Sequence, residues 1–379
     1  MVALVTGAES AKALMITRSL GSKGIEVHNA GINKESPTFS SKYSKKQFTY
    51  PDPEKNEFAF VKRLLDIVSN QDYEILIPSH SKETYIISKY ISEFSSLVYV
   101  PLVNYNLMQK ANDKSYVNLI ANNLNISVPK TFRPKSIESF GSFEINFPVV
   151  IKLISGSSNK GLKYANSLPD LIQKFKEVVE EFNLTKSTYP IIQEYINGVG
   201  AGTSVLFDRG EPKSFFTHKR LREYPMTGGP STLRIGIRNS TMEKNSIKLL
   251  SKMKWHGVAM CEYIIQSKTN IPYLIEINPR FWGSLNQSII SGVDFPLMLY
   301  KMSKRGIITN DKVRLGLKTR FLLLDLLSFP DYFLLSKDKV NFLLSFISNN
   351  KTYFDIEDLD DMSPVIEYYK YKLKEKLCI

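Results

Sequence analysis

The sequence has few of the residues that build disulfide frameworks and zinc sites. Its only cysteines are Cys261 and Cys378, and it contains four histidines in 379 residues. One cysteine pair cannot staple a chain of this length, and neither cysteine belongs to a zinc-type cluster. We therefore expect a protein of the reducing cytoplasm, with little room for a histidine-built metal site.

Long apolar runs are also missing. No uncharged apolar stretch reaches the roughly 18–20 residues that span a bilayer. The opening segment, MVALVTGAES, has no basic residues ahead of its apolar stretch, so it does not resemble a secretory signal. A composition of 43% hydrophobic and 23% charged residues excludes disorder, collagen and coiled coil. At roughly 100–200 residues per domain, the length predicts two or three domains.

Negative charge is the scarcer sign: 50 Lys and Arg against 37 Asp and Glu give a formal charge of +13. Residues 213–238 carry six bases and one acid. One basic segment suits a small polyanion or a carboxylate substrate at least as well as DNA, so we expect no nucleic-acid partner. For the lysines, a solvated surface remains the alternative interpretation.

The first hundred residues alternate short apolar runs with helical patterns, which predicts a parallel α/β sheet. The predicted strands are 2–6, 25–29, 74–78 and 97–103, and the predicted helices are 11–20, 58–68 and 82–94. The first turn, Thr6–Ser10, lacks the second and third glycines of a dinucleotide fingerprint, which argues against an NAD-binding domain.

Beyond residue 105 the pattern predicts a helix, two strands around a polar glycine-serine loop, and then a β-rich region. The predicted helices are 106–123, 168–182 and 242–254, and the predicted strands are 147–153, 190–196, 204–207, 214–218, 258–266 and 273–278. From about residue 307 the tail holds amphipathic segments at 321–327 and 342–347.

Acidic side chains interrupt the last two apolar strands. Glu262 lies in CEYII, and Glu276, Asn278 and Arg280 lie in LIEINPR. Because strand side chains alternate, the last three share one face. Two carboxylates and an amide oxygen are ligands that Mg²⁺ takes together with phosphate oxygens. The alternative is that Glu276 simply pairs with Arg280.

Two upstream segments strengthen the metal–nucleotide hypothesis. Lys152 ends the strand PVVIK and is followed by the loop 156–161, whose backbone N–H groups and hydroxyls could close over phosphates. In IIQEYI, Gln193 and Glu194 interrupt an apolar strand, which suits an adenine edge and a ribose hydroxyl.

Six segments of the chain, taken in order, resemble the ATP-grasp superfamily of carboxylate–amine and carboxylate–thiol ligases. They are DK (Asp113 and Lys114), PVVIK, the loop, QEYI, CEYII and EINPR. The resemblance covers about residues 2–300. It implies an α/β ATP-grasp fold, with an N-terminal Rossmann-like parallel-sheet domain, two α+β subdomains that clasp ATP, and a helical C-terminal extension. The implied boundaries are 1–104, 105–190, 191–306 and 307–379.

The resemblance also implies roles for individual residues, with ATP and Mg²⁺ (or Mn²⁺) as cofactors. Arg280 would steady the transferring phosphate. The implied nucleotide-binding residues are Lys114, Lys152, the lid residues Ser157 and Ser158, Gln193, Glu194, and the backbone of Tyr195 and Ile196. The implied metal ligands are Glu262, Glu276 and Asn278. The glycine-rich segment 198–202 stands where many relatives place an acid near the ribose, so no ribose contact is assigned.

A narrower resemblance lies in HKRLREYPMTGGPST, residues 218–232. It is similar to a branch of predicted ATP-dependent carboligases that includes D-aspartate ligase and ligases of surface-polysaccharide pathways. The resemblance implies small-molecule carboxylate and amine substrates, such as an amino acid or a cell-surface precursor. The implied substrate-binding residues are Arg220, Arg222, Gly228, Gly229 and Ser231. We expect Arg220 and Arg222 both to face the cleft, although packing with Glu223 is the alternative.

The predicted reaction forms an acyl phosphate and then an amide, with Arg234 or Arg280 stabilising the oxyanion. His218 is a candidate for deprotonating the amine, and a structural hydrogen bond is its alternative role. Other hypotheses are a carboxylase or carbamoyl-phosphate-type enzyme acting on bicarbonate, a non-catalytic ATP-binding scaffold, and a peripheral membrane module built from the tail. A tail packed as a helical cap is preferred over membrane contact, and a homodimer is the default assembly.

Overall fold

Three β-sheets organise the chain. The computed structural model describes residues 2–142, 144, 146–155, 161–226, 228–308, 312–348 and 351–377. Within these ranges, the sheets contain four, four and seven strands. The N-terminal sheet is parallel, and its strands are β1 (Val2–Thr6), β2 (Glu26–Gly31), β3 (Ser44–Thr49) and β4 (Ile75–Pro78). Its helices are α1 (Ala11–Gly21), α2 (Glu57–Ser69), α3 (Ser81–Lys89) and α4 (Ile91–Ser95).

The strand order of this sheet is β3-β2-β1-β4, as a doubly wound α/β domain requires. All five residues of β1 are buried, in keeping with a strand covered on both faces. The sequence did not predict β3, because S-K-K-Q-F-T is too polar. The strand predicted over 97–103 is reduced to a single bridge between Tyr99 and Ile75, and the helix predicted over 82–94 breaks at Tyr90.

The second sheet is antiparallel, with order β5-β8-β6-β7. This part of the chain consists of α5 (Tyr105–Asn112), α6 (Lys114–Asn123), β5 (Thr131–Phe132), β6 (Val149–Lys152), β7 (Lys163–Ala165), α7 (Leu168–Glu181) and β8 (Ile191–Glu194). Helix α7 buries Leu171, Phe175 and Val178, at helical spacing, against the sheet. The helix predicted over 106–123 is in fact two helices, because Asp113 ends α5 and its carboxylate caps α6.

The third sheet has the order β13-β12-β9-β10-β11-β14-β15. Its elements are β9 (Gly198–Asp208), β10 (Glu211–Glu223), β11 (Ser231–Ile237), α8 (Ser240–Lys252), β12 (Gly257–Gln266), β13 (Pro272–Asn278), α9 (Leu285–Ile290), α10 (Phe295–Ser303), β14 (Lys318–Arg320) and β15 (Thr352–Phe354). Strands β9 and β10 form a hairpin, in which Arg209 and Gly210, with φ of 48° and 94°, are the two-residue turn.

The C-terminal extension is mainly helical, as predicted, and also supplies β14 and β15. Its helices are α11 (Leu322–Leu335), α12 (Lys339–Ile347) and α13 (Ser363–Leu377). Asp325 anchors α11 to the large sheet, because its buried carboxylate accepts hydrogen bonds from Arg222 and Thr232. The outer face of the α11–α12 hairpin exposes leucines such as Leu334 and Leu344. No helix within the described ranges combines the length and the hydropathy needed to cross a bilayer.

One hydrophobic core joins the N-terminal sheet, the large sheet and α13. Leu14 and Ile16 of α1 belong to the same buried cluster as Trp282, Phe295 and Val365. Arg18 reinforces this junction, because its Nε donates to Asp361 Oδ2 at 2.9 Å just before α13. The carboxyl ends of the N-terminal strands therefore border the same cleft as the large sheet.

Candidate active site

A cleft of about 690 Å³ lies between the three sheets. The second sheet contributes Lys152 and Gln193, and the large sheet contributes Glu262 and Asn278. Helix α6 contributes Lys114. The cleft also reaches the N-terminal sheet and α13. Most of the side chains predicted from the sequence therefore meet in one cavity.

An opposed pair of carboxylates occupies one wall of this cleft. Glu262 on β12 and Glu276 on β13 are direct cross-strand partners. A β-bulge follows at once, where two residues of β13 oppose one of β12. Like charges directly opposite each other destabilise a sheet, so this pair requires positive charge close by.

Each carboxylate contacts a different cation. Lys114 Nζ lies 3.2 Å from Glu276 Oε2, and the Arg220 guanidinium donates to Glu262 Oε2 at 2.7 Å. Asn278 Nδ2 donates to Glu262 Oε1 at 2.8 Å, and Arg280 donates to Asn278 Oδ1 at 2.9 Å. The predicted alternative, in which Glu276 pairs with Arg280, is not the arrangement observed.

The donor set at this wall fits a hard divalent cation. Among the described residues, no three His, Cys, Asp or Glu side chains form a metal-binding group. Two carboxylates and one amide lie at this wall, and their oxygens form a set that suits Mg²⁺ or Mn²⁺ when phosphate and water oxygens supply the remaining ligands. In this structure the amide oxygen of Asn278 accepts from Arg280. The opposed carboxylates supply the negative charge that such a cation would neutralise.

Lys152 faces the cleft from the end of β6. Its Nζ donates to Gln193 Oε1 at 2.8 Å, and Gln193 Nε2 donates in turn to Thr131 Oγ1 at 2.9 Å. Burial lowers the pKa of Lys152 to about 8, and the neighbouring Glu276 offsets only part of that effect. A lysine in this state gains its full charge when an anion binds beside it.

Lys114 owes its position to the helix break described above. It is the first residue of α6, and its backbone N–H donates to Ile154 O at 3.1 Å. This bond joins α6 to the chain leaving β6. Lys114 and Lys152 are thereby brought to one cavity from separate elements.

The predicted adenine-binding segment also lines the cleft. The backbone N–H of Lys130 donates to Glu194 Oε2 at 3.2 Å, and the Glu194 N–H donates to Lys130 O at 2.8 Å. Tyr195 and Ile196 follow the end of β8, and the Tyr195 ring packs edge-on against Tyr164 at 5.7 Å. The predicted lid residues Ser157 and Ser158 lie outside the described residues.

The basic segment divides between the cleft and the core. Arg220 lies in the cleft with Gly228, Gly229 and Ser231. Arg222 does not, contrary to our expectation, because the strand bulges between the two arginines. Its guanidinium binds both carboxylate oxygens of buried Asp325, at 2.8 and 2.6 Å.

His218 and Arg234 line the cleft, although both residues are almost fully buried. Burial, together with the nearby charges of Arg234 and Arg220, lowers the pKa of His218 to about 3, so its imidazole is neutral at physiological pH. Its Nε2 lies 3.3 Å from Ser284 Oγ. Arg234 donates to Thr319 Oγ1 and Ser231 O and forms an ion pair with Asp355. Its guanidinium is therefore held within the protein.

The glycines of β9 have a packing role that the sequence did not reveal. A Cβ on Gly200 would lie 2.7 Å from Arg220 Cδ, and a Cβ on Gly202 would lie 2.8 Å from His218 Cε1. Small residues on β9 thus allow the long side chains of β10 to lie across it. Only the pairing of the two strands could have revealed this.

Sequence reasoning also missed cleft residues from the two ends of the chain. Ser10, Lys12 and His80 come from the N-terminal sheet, and Tyr368 and Lys372 come from α13. None of them belongs to a motif of the kind sought in the sequence. Trp282 also lines the cleft.

Comparisons with known proteins agree with this architecture. Residues 111–284 match the model of the ATP-grasp domain family. A search of curated proteins gives no significant match. Among solved structures, the biotin carboxylase domain of Hydrogenobacter thermophilus 2-oxoglutarate carboxylase, in complex with MgADP, ADP and bicarbonate, is similar with a TM-score of 0.67. The identity is 14%, and the match covers 84% of this chain and 73% of that one.

Two other structural relatives are similar over comparable lengths. L-amino acid ligase from Bacillus licheniformis has a TM-score of 0.63 and 13% identity, with 84% of this chain and 78% of that chain covered. N5-carboxyaminoimidazole synthetase from Staphylococcus aureus has a TM-score of 0.62 and 14% identity, with 84% and 80% covered. At these identities the likeness concerns the fold. The chain therefore has an ATP-grasp fold, and its residues 111–284 form an ATP-grasp domain.

Proposed function

We propose that this protein is an ATP-dependent carboxylate–amine ligase that forms an amide bond and releases ADP and phosphate. The observation that carries the proposal is the opposed pair Glu262 and Glu276, each in contact with a cation, in a cleft that also holds Lys152 and Arg280. Phosphoryl transfer depends mainly on positioning and on charge stabilisation around the transferred group. The relatives named above, an amino acid ligase and a nucleotide-bound carboxylase domain, are compatible with this chemistry.

In the first step, a carboxylate oxygen of the substrate attacks the γ-phosphorus of ATP. A new O–P bond forms, the bond to the bridging oxygen breaks, and ADP leaves. Lys114 and Lys152 bind phosphate oxygens, and Arg280 offsets the charge of the transferred group. Glu262, Glu276 and Asn278 would hold Mg²⁺ or Mn²⁺, which neutralises phosphate charge when bound.

In the second step, the amine attacks the carbonyl carbon of the acyl phosphate. A C–N bond forms, the C–O bond to phosphate breaks, and inorganic phosphate leaves while the amine loses a proton. Arg280 is our candidate for stabilising the oxyanion, because Arg234 is already engaged by Ser231, Thr319 and Asp355. We assign Arg234 and Arg222 to holding the cleft wall, and Arg220 to orienting Glu262 and the substrate.

The decisive experiment measures ADP release by the full-length protein with Mg·ATP across a panel of amino acids, dicarboxylates and bicarbonate. Acceptor-dependent ADP release should disappear in Glu276→Ala. It should persist in Glu211→Ala, a control in which an exposed acid paired with Lys213 is removed.

Each outcome of this experiment has a distinct meaning. ADP release that depends on bicarbonate alone would favour the carboxylase alternative over the ligase. Binding of ATP without turnover by any acceptor would favour a scaffold. If ATP does not bind, the proposal fails. Mass spectrometry of the product should show one amide linkage per ADP released.

A further inference from the structure

A second cavity of about 690 Å³ lies away from the cleft, and the proposed reaction does not use it. Tyr99, the turn between β9 and β10, and the end of α10 form its walls, and none of its described lining residues belongs to the cleft. Tyr99 bridges to Ile75, the first residue of β4, so this cavity lies toward the amino end of that strand. The cleft borders the opposite, carboxyl ends of the same sheet. We give the name hairpin pocket to the cavity lined by Tyr99, Asp208, Arg209, Met302, Arg305 and Ile308.

Two arginine side chains of the hairpin pocket have no partner in the described part of the chain. Arg209 and Arg305 both line the pocket and are both exposed. Among the described residues, neither guanidinium forms a hydrogen bond or an ion pair. A third base of the lining, Lys213, pairs with exposed Glu211. The two guanidiniums are therefore available to an anion that enters the pocket.

One acid also lines the pocket, and it does not balance the two arginines. Asp208 Oδ1 lies 3.4 Å from His256 Nδ1. Burial lowers the pKa of His256, Asp208 opposes this effect, and Arg209 adds to it, so the imidazole is mostly neutral near pH 7. With Lys213 already paired, two guanidiniums face one carboxylate, and the described lining is left with a net positive charge.

The backbone at both arginines is in the left-handed region. The angle φ is 48° at Arg209 and 54° at Arg305. Glycine and asparagine adopt this conformation at a lower cost than arginine does. Arginine at these two positions therefore strains the backbone, and no contact of either guanidinium within the described chain offsets that strain. A ligand that binds guanidinium groups would supply such a contact.

Apolar side chains form the rest of the wall. Tyr99, Pro212, Met302 and Ile308 line the pocket beside the arginines. The Tyr99 ring packs edge-on against His256 at 6.0 Å, and its hydroxyl lies 3.2 Å from His256 Nε2, so the ring is held in place. Apolar walls with a few convergent polar groups suit an organic ligand better than a bare ion. The planar fork of a guanidinium matches the oxygens of a phosphate or a carboxylate.

We propose that the hairpin pocket binds a small organic anion, in which a phosphate or a carboxylate is attached to an apolar or aromatic body. Arg209 and Arg305 bind the anionic oxygens, and Tyr99 and Met302 contact the body. This site is separate from the proposed reaction and does not depend on it. Strand β10 begins at the turn and supplies Arg220 to the cleft, so the bound anion lies at the far end of a strand that builds the cleft wall.

The test titrates four probes into the full-length protein by calorimetry: phenyl phosphate, benzoate, inorganic phosphate and uncharged phenol. The ionic strength is kept low, because salt screens exposed charges. At least one of the two organic anions should bind, and phenol should not. Inorganic phosphate, which lacks the apolar body, should bind roughly tenfold more weakly than phenyl phosphate.

Substitutions by asparagine remove each charge and keep a residue that accepts the left-handed conformation. Arg209→Asn and Arg305→Asn should each weaken binding of the preferred anion roughly tenfold or more, without lowering the temperature of thermal unfolding. Lys351→Asn is the matched control, because Lys351 also has φ of 54° and does not line the pocket. Lys304→Gln removes a neighbouring charge that pairs with Glu74. Both controls should bind within about twofold of the wild-type protein.

Each result of these titrations decides for or against the inference. Equal binding by the arginine variants and the controls, binding of phenol as tight as that of the anions, or no binding of either organic anion would overturn it. Loss of binding in Lys152→Met, with Arg209→Asn unaffected, would place the anion in the cleft and would overturn it as well. If the inference holds, the tighter of phenyl phosphate and benzoate distinguishes a phosphate-bearing from a carboxylate-bearing ligand.

Discussion

Binding of Mg·ATP should be accompanied by proton uptake at alkaline pH, and Lys152 should be the group that takes up the proton. Burial lowers the pKa of Lys152 to about 8 in the free protein. Phosphate oxygens beside its ammonium group favour the charged form, so binding should return the pKa to about 10.5 or above. A pKa that rises on binding means that protons are taken up between the two values.

The expected size of this uptake follows from the two pKa values. Free Lys152 is roughly one-tenth deprotonated at pH 7, one-half at pH 8 and nine-tenths at pH 9. Bound Lys152 is almost fully protonated at all three. Uptake should therefore rise from roughly 0.1 proton per ATP at pH 7 to roughly 0.9 at pH 9. The phosphates contribute little at pH 8 and 9, because their second ionisation, near pH 6, is then roughly 99% complete or more.

Calorimetry in pairs of buffers with different ionisation enthalpies measures this uptake directly. Lys152→Met should abolish the uptake and weaken ATP binding. Lys163→Met is the matched control, since Lys163 lies on the adjacent strand and pairs with Glu177. Uptake that is absent at pH 9 in the wild-type protein, or unchanged in Lys152→Met, would refute the assignment of Lys152 to the phosphates.

Two further predictions concern the cleft wall. Asp325→Asn leaves the buried Arg222 and Arg320 without a counter-charge, so it should lower the free energy of unfolding by roughly 3–5 kcal/mol. Asp331→Asn, at an exposed position of the same helix, should change it by less than about 0.5 kcal/mol. Urea unfolding measures both values. Gly200→Ala places a Cβ 2.7 Å from Arg220 Cδ and should lower kcat/KM roughly 10- to 100-fold. Gly283→Ala, where no atom lies within 4 Å of the new Cβ, should not; equal effects of the two glycine changes would contradict the packing argument.

The sequence predicted best those features that depend on local periodicity. The acids Glu262 and Glu276 were found because each interrupts an apolar strand, and the structure places them opposite each other. The N-terminal α/β pattern followed from alternating runs of the right lengths. Each of these features is determined within about twenty residues of chain, so the signal is present in the sequence itself.

Features determined by contacts between distant elements were not predicted. Arg222 and Arg220 are two residues apart and were expected on one face, yet a bulge in β10 sends Arg222 to Asp325, 103 residues away. Asp113 was included in a continuous helix, although its carboxylate starts a new one and thereby positions Lys114. Bulges and helix breaks change the side-chain period by one residue, and sequence periodicity alone does not reveal where they occur.

The residues that line the cleft come from two sources: one continuous stretch of the chain, and segments near its two ends. The acids Glu262 and Glu276 and the cations Lys114 and Lys152 all lie within residues 111–284, the range of the ATP-grasp domain. Another part of the cleft lining combines Lys12 and His80 with Lys372, which reach one another only through tertiary packing. Asp361 maintains that packing, because it accepts hydrogen bonds from Arg18 and from the Lys42 backbone N–H. The position of Lys372 therefore depends on contacts that lie outside residues 111–284, so this part of the cleft can change without altering the wall that carries Glu262 and Glu276.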